Sequence, residues 1–339
     1  MVKIMPITLN EMKVGMSDKV AAHVIDTFVR KSEILEMLPF DNSVSPSGGS
    51  TLTYGYVQKK LPSTTAFRAI NSEYKPNQTT TEKKTVDLKV FGGAFEIDRV
   101  IKDAEGMYNN MATQIEDKVE SAVGTFHNAM INGDAAVEAD GFDGLDKFLV
   151  GQKTEYGTDK VIDLSTMEKL KENADVFYEA LITLINSTGA HAIMVNEGMK
   201  TKIQTVARIL GYKTESEEAF GRVVTTIGEN KVRIIDMQNV ATVEGEGDDA
   251  VAVEKPVIGV KERTVGGSAT TGLTDIYAAR FDVNNGFHGV TLTGNKAIKQ
   301  FLPDFNTPGA VKKGEVEMVG CVALKNVKAA GVLRNIKIA

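Results

Sequence analysis

Residues 50–95 read STLTYGYVQKKLPSTTAFRAINSEYKPNQTTTEKKTVDLKVFGGAF. Leu52, Tyr54 and Tyr56 alternate with Thr51, Thr53 and Gly55; far downstream, Val86, Leu88 and Val90 alternate with Thr85, Asp87 and Lys89. Both runs have the period of two that marks a half-buried strand. The segment between them, 58–84, is mostly charged and polar. Two strands without a third are marginal in water, and a ribbon this polar cannot supply a core of its own. Its apolar face is expected to rest on another copy of the chain, which points to assembly rather than catalysis.

Charge separates this segment from its surroundings. Residues 51–90 hold seven basic side chains (Lys59, Lys60, Arg68, Lys75, Lys83, Lys84, Lys89) and three acidic ones (Glu73, Glu82, Asp87), a balance of +4 in a chain whose net charge is −6. The remainder therefore carries −10. A basic arm on an acidic body can pair with neighbouring copies, setting encounter and register more than raw affinity. Lys59, Lys60 and Arg68, with Tyr54 and Tyr56, are the residues expected at contacts between subunits. A negative chain is a poor candidate for gripping nucleic acid over its whole surface.

The 339 residues are 42% hydrophobic and 25% charged, ordinary for a globular protein and enough for two or three domains. The single cysteine, Cys321, excludes an intrachain disulfide and is expected to pack as a small apolar residue in a strand. MVKIMPITLNEMK lacks the apolar region of a secretory signal, and no window approaches the roughly 18 apolar residues of a membrane span. A reducing cytoplasm is the expected compartment, and the sequons at Asn77 and Asn186 carry little weight there.

Upstream of the ribbon, Ser17 is a candidate cap for a helix with Val20, Val24, Ile25 and Phe28 on its apolar face. Ile34, Leu35 and Leu38 lead to the stop at Pro39, and 43–50 reads as a linker. Downstream, Ile97, Val100, Ile101 and Ala104 open an apolar stripe that Gly106 interrupts. It resumes through Met107, Met111, Ile115, Val119, Ala122, Val123, Phe126 and Met130 and stops at Asn132-Gly-Asp134. Residues 107–132 would form a rod of about 40 Å, with one narrow side on a sheet and the other in water.

An α/β region follows. Ser165-Thr-Met-Glu168 is a capping box opening a helix to about Asn186, 191–195 reads as a buried strand, and Asn196 caps a helix to Leu210. Residues 222–227 and 231–237 form a strand pair turning at Gly228-Glu-Asn, and 244–249 is an acidic turn. Further strands are expected at 257–260, 275–281, 289–292, 317–324 and 331–338.

Little in the chain carries chemistry. His23, His127, His191 and His288 lie far apart, with no i, i+4 pair and no cysteine nearby, so a zinc site is not expected. There is no Gly-x-Ser-x-Gly elbow, Walker lysine loop or dinucleotide fingerprint. The glycine pairs 48–49, 92–93 and 266–267 read as hinges or turns. Asp304-Phe-Asn-Thr-Pro-Gly309 followed by Glu315 imitates a calcium loop, but Pro308 stands where an oxygen ligand belongs. No basic helix or aromatic platform for reading bases is present. No catalytic residue, cofactor site or metal site is assigned.

The order of arm helix, long hairpin, long helix, α/β domain and late strands resembles the major capsid protein of tailed bacteriophages, the Hong Kong 97-type fold. The residues that carry the likeness are Phe28-Val-Arg-Lys-Ser-Glu-Ile-Leu-Glu-Met-Leu-Pro39, Ala129-Met-Ile-Asn-Gly-Asp134 and Gly141-Phe-Asp-Gly-Leu145. The resemblance implies an α+β fold in five parts. These are an N-terminal arm (1–49), an extended β-hairpin loop (50–95), a peripheral domain with the spine helix (96–141), an axial domain (142–273) and C-terminal strands returning to the peripheral domain (274–339). It further implies a non-enzymatic structural protein, assembled in the bacterial host cytoplasm. Pentamers and hexamers of it would form an icosahedral virion capsid around double-stranded DNA, touched non-specifically, with a portal protein and no membrane. Fewer than 20 residues precede the first expected helix, which within that family implies a separate scaffolding protein. No crosslinking lysine, asparagine and catalytic carboxylate can be matched. Two other readings stand beside it: an encapsulin-like nanocompartment shell, and an α/β enzyme with its site in 142–273.

Overall fold

The computed structural model describes residues 32–43, 52–61, 63–104, 110–212, 215–219, 222–228, 230–244, 251–292 and 299–339. The expected helix after Ser17, the linker 44–50, Gly106 and Met107, and the acidic turn residues 245–249 lie outside the described residues. Ser32 caps α1 (Glu33–Met37), its hydroxyl accepting from the Leu35 amide at 3.1 Å. Pro39 follows, and the chain turns into β1 (Phe40–Asn42). Next come the ribbon strands β2 (Thr53–Leu61) and β3 (Thr80–Asp87), then β4 (Lys89–Asp98). Asp98 caps α2 (Arg99–Asp103), and the long helix α3 (Asn110–Asn132) comes after it.

The α/β part contains α4 (Leu145–Leu149), β5 (Glu155–Tyr156), β6 (Ile162–Asp163), α5 (Met167–Glu172), α6 (Ala174–Thr188), β7 (Ala192–Val195) and α7 (Glu197–Ile209). It continues with β8 (Glu215–Ala219), β9 (Arg222–Ile227), β10 (Val232–Asp236), β11 (Asn239–Glu244), β12 (Val251–Pro256) and β13 (Lys261–Val265). The chain closes with β14 (Ser268–Ala279), β15 (Phe287–Thr291), β16 (Lys299–Phe301), β17 (Val311–Leu324) and β18 (Ala330–Lys337).

Two large sheets organise the molecule. A five-stranded sheet runs β1-β15-β17-β16, with β4 also paired to β17. A nine-stranded sheet runs β5-β18-β14-β7-β10-β9-β8, with β13 on β14 and β6 on β18. β7 is buried on both faces: Ile193 and Val195 point into the core beneath α6 and α7, while Ala192 and Met194 join the core that also holds Phe126 of α3. A strand covered on both sides reads as an unbroken apolar run. Asn196 links the layers. Its Oδ1 caps α7 at the Met199 amide (2.8 Å), and its Nδ2 donates to the Ile258 carbonyl and the Thr274 hydroxyl, both at 2.9 Å.

Several expectations change. Ile97 lies in β4, opposite Lys312 of β17, rather than in a helix, and residues 89–95 are body sheet rather than extended loop. Gly92 and Gly93 are no hinge: Gly92 faces Glu317 in mid-strand, where a Cβ would run into the Val316 carbonyl. The α5 cap is Thr166, and Ser165 bonds Asp163 instead; the helix expected to run to Asn186 breaks at Asn173. The strand expected at 257–260 lies earlier, as β12. The long helix is covered on more than one side. Ala122, Phe126, Met130 and Ile131 are buried, and the β11 backbone lies 3.5 Å from where a Gly124 Cβ would sit. Asp117, Ser121 and Thr125 mark its exposed line. β14 crosses the expected boundary at 273, and β18 pairs with β14 in the nine-stranded sheet, with Ala330 and Val332 in the same core as Phe126 of α3. β15 and β17 lie in the sheet with β4, and Cys321 is buried there.

Candidate assembly surface

The ribbon divides into a root packed on its own chain and an outer part that is exposed throughout. Its register runs from Thr53 opposite Asp87 to Leu61 opposite Thr80, with one irregularity between Lys59 and Leu61. At the root, Tyr54 donates its hydroxyl to Asp41 Oδ2 at 2.5 Å. Lys325 Nζ lies 3.6 Å from that carboxylate and 5.4 Å from the Tyr54 ring centre. His288, wholly buried, meets the Tyr54 ring edge-on at 5.9 Å. Tyr56 and Leu88 are buried in the same core, Gln58 donates to the Leu324 carbonyl at 3.3 Å, and the Leu88 amide donates to the Leu52 carbonyl at 2.6 Å.

The root's electrostatics follow from this packing. Burial works against charge on Asp41, but the Tyr54 hydroxyl, the Asn42 amide and Lys325 outweigh it and hold the carboxyl below its usual range. Burial, and then Asp41, push the Tyr54 phenol upward. Burial, and then Lys325, push the His288 imidazole down to about 4. A neutral histidine under a tyrosine held by an aspartate is a fastening, not a catalytic triad: no hydrogen bond joins the His288 ring to the Asp41 carboxylate or the Tyr54 hydroxyl.

From 63 to 85 every residue is exposed. The tip nevertheless has internal structure. Asn77 Oδ1 accepts from the Thr64 amide at 3.1 Å while its Nδ2 donates to the Thr64 hydroxyl, which fastens the two sides together. Arg68 donates to the carbonyls of Ala69 (3.3 Å) and Ser72 (3.0 Å), and its guanidinium lies 5.5 Å from the Tyr74 ring centre. Asn71 adopts φ +66°, a left-handed conformation that asparagine tolerates well. Phe67 (108% exposed) and Ile70 (91%) project from this frame.

The five residues expected at subunit contacts thus do not form one patch. Tyr54 and Tyr56 fasten the root, Arg68 braces the tip, and Lys59 and Lys60 belong to β2, with side chains outside the described ones. Sequence reasoning passed over Asp41 and Lys325 and weighed His288 only as an isolated histidine; the three come together through β1, β15 and the residue after β17. It also passed over Phe67 and Ile70, although two apolar residues three apart in a polar stretch are a readable signal.

The other polar clusters are structural. Asp146, Glu155 and Asp275 converge on Arg334, at 2.7 Å for Asp146 and 3.5 Å for Asp275, and Arg263 holds Asp275 with two bonds of 2.6 and 2.5 Å. Tyr277 donates to Asp146 at 2.9 Å. The guanidinium groups neutralise what would otherwise resemble a metal site. His127 is buried on α3 and shares a 2.7 Å hydrogen bond with Ser32. In the turn that imitates a calcium loop, the Lys312 ammonium holds the Thr307 carbonyl (2.5 Å), the Thr307 hydroxyl (2.8 Å) and the Pro308 carbonyl (3.1 Å).

No family model matches this chain, and no curated protein does. Solved structures do. The holo-SrpI encapsulin complex from Synechococcus elongatus PCC 7942 is similar at 12% identity, over 98% of this chain and 97% of that one, with a TM-score of 0.61. The capsid of a native GTA particle is similar at 12% identity, over 92% of each chain, with a TM-score of 0.54. A chain of Mycobacterium phage Bobi is similar at 11% identity, over 99% of each chain, with a TM-score of 0.54. Identities this low show a shared fold alone, and what they show is that this chain has the α+β Hong Kong 97-type capsid fold.

Proposed function

We propose that the chain is the major capsid protein of a phage head, a subunit that closes with its copies into an icosahedral shell around double-stranded DNA. The observation that carries this reading is the ribbon. It is rooted in its own core by Tyr54 and Tyr56, yet it stands clear of its own body from 63 to 85. An enzyme gains nothing from a long rooted arm with no site at its end. A shell subunit gains a contact with its neighbour, and many such contacts acting together give a shell its stability.

In this assignment β2 and β3 form the extended loop, and α3 is the spine of the peripheral part. The α/β region around the nine-stranded sheet meets its copies around the five-fold and six-fold axes. Pentamers and hexamers close with a portal protein and a separate scaffolding protein, and assembly takes place in the host cytoplasm. The net charge of −6 suits a wall that does not adhere to the packaged genome. No helix among the described residues is long and apolar enough to cross a membrane.

A second reading is favoured by the likeness to the encapsulin complex over nearly the whole chain: a shell of the same kind enclosing protein cargo. Expression with and without a candidate scaffolding protein, followed by electron microscopy, tests the shell. Closed particles tens of nanometres wide are expected, and a small oligomer under all conditions refutes it. Nucleic acid inside particles from infected or induced cells supports the head, whereas an enzyme cargo supports the compartment.

A further inference from the structure

We infer that Phe67 and Ile70 are the anchor by which the ribbon of one copy grips a second copy, and that the basic flank of the ribbon only steers the encounter. This rests on the shell reading and adds which residues hold the contact. Four observations support it.

Phe67 and Ile70 are among the most exposed large apolar residues described, and they sit together at the end of an arm. Their frame is built before any partner arrives: Asn77 ties to Thr64, Arg68 ties to Ala69 and Ser72 and lies by Tyr74, and Ser72 closes the turn to the Ala69 carbonyl at 3.2 Å. Preorganised apolar side chains lose little freedom on docking, which is the condition for a hot spot. Neither side chain rests on the chain's own core: Phe67 and Ile70 lie in a stretch, 63 to 85, in which every residue is exposed.

The fourth observation is charge, which selects the occupant. The segment 51–90 carries +4 and the rest of the chain −10, so the surface most complementary to the ribbon is the body of another copy. Steering by such fields speeds encounter and fades with salt, whereas a buried apolar anchor governs dissociation. Arg68 holds the tip through neutral carbonyls and keeps its charge, so it adds to the steering field of the lysines.

The test compares two double variants of the full chain with the wild type by light scattering and sedimentation, at low and high salt. Phe67→Ser with Ile70→Ser is expected to raise the critical concentration for particles roughly tenfold or more at either salt. Its unfolding midpoint should stay unchanged, since neither side chain is packed. Phe67→Leu with Ile70→Leu should restore assembly. Lys59→Glu with Lys60→Glu should slow assembly at low salt and approach wild type at high salt. If the serine variant assembles at the wild-type concentration while wild-type particles form normally, this inference falls and the shell reading stands. If wild-type chains never form particles, both fall. Phe67-dependent co-sedimentation of unassembled chains with phosphatidylserine vesicles would also overturn it, by making the tip a membrane probe.

Discussion

Lowering the pH from 7.5 to 5 should destabilise the subunit by about 4 kcal/mol through two histidines, with His288 coupling that loss to the ribbon. His127 and His288 are 4% and 0% exposed, and burial pushes each imidazole from 6.5 down to about 4. The folded state favours the neutral ring, and the unfolded chain takes up protons first as pH falls through 6.5. Stability is therefore full above that value, declines between 6.5 and about 4, and has no further slope from these groups below. At pH 5 each unfolded histidine is favoured about 30-fold over its folded counterpart, or about 2 kcal/mol apiece, a large share of a typical 5–15 kcal/mol. Asp41, Asp146 and Asp163 are held below 3.8, so their contribution is lost only below this window. The groups facing His288 are Asp41 from β1, Tyr54 from β2, and Lys325 and Asp282 from the flanking loops. Lifting the ribbon takes the Tyr54 ring off the imidazole but leaves Lys325 beside it, so root opening alone should rise at pH 5 by less than the full 30-fold. Urea unfolding at low protein concentration, needed because the pI is about 5.5, reads the global effect. Hydrogen exchange at the Leu88 amide, corrected for intrinsic rates, reads the root. His288→Leu should remove half the global slope and the root's share entirely. A flat midpoint from pH 7.5 to 5, or an unchanged slope in His288→Leu, refutes the reasoning.

Arg334→Met should cost about 3–5 kcal/mol at pH 7, because it strands Asp146, Glu155 and Asp275 around a neutral side chain, with Arg263 left on Asp275 and Lys261 acting on Asp146. The deficit in urea midpoint should shrink in acid as those carboxylates take up protons, and a deficit independent of pH counts against the assignment. Gly92→Ala should lower the midpoint by about 1–3 kcal/mol, since its methyl meets the Val316 carbonyl across the β4–β17 pair. Gly55→Ala, whose Cβ would meet the flexible end of Lys83 at 3.4 Å and the Thr85 methyl at 3.9 Å, serves as its control.

Period and punctuation made much of the fold readable. The ribbon strands, the stop at Asn132, the Asn196 cap and the apolar run of β7 each follow from local rules that tertiary structure left alone. The failures share a cause. Ile97 fits a helical stripe and a strand equally well, and its place was decided by β17, more than two hundred residues away, which no local pattern contains. Gly92 and Gly93 looked like punctuation because close strand packing leaves no mark besides the missing side chain. Thr166 displaced Ser165 as the cap because Asp163 offered the serine another bond. Of the candidate surface, the ribbon itself was legible. The division between root and tip was not, since Tyr54 and Tyr56 show the same alternation whether they face another copy or their own core.

That division changes how the arm can work. A ribbon ordered only by its neighbour would lose all its freedom at the moment of contact, at about 1–2 kcal/mol for each residue fixed. Here Tyr54, Tyr56, Gln58 and Leu88 fix its direction beforehand, and Asn77 and Arg68 fix its end. The contact left to be made is small: two apolar side chains on a preformed tip, approached under long-range attraction. Each such contact is weak alone, so a misplaced subunit can leave, while the closed shell gathers many of them and holds. The same root is where His288 lies neutral beneath the Tyr54 ring. Protonation of His288 therefore acts on the same packing that fixes the direction of the ribbon.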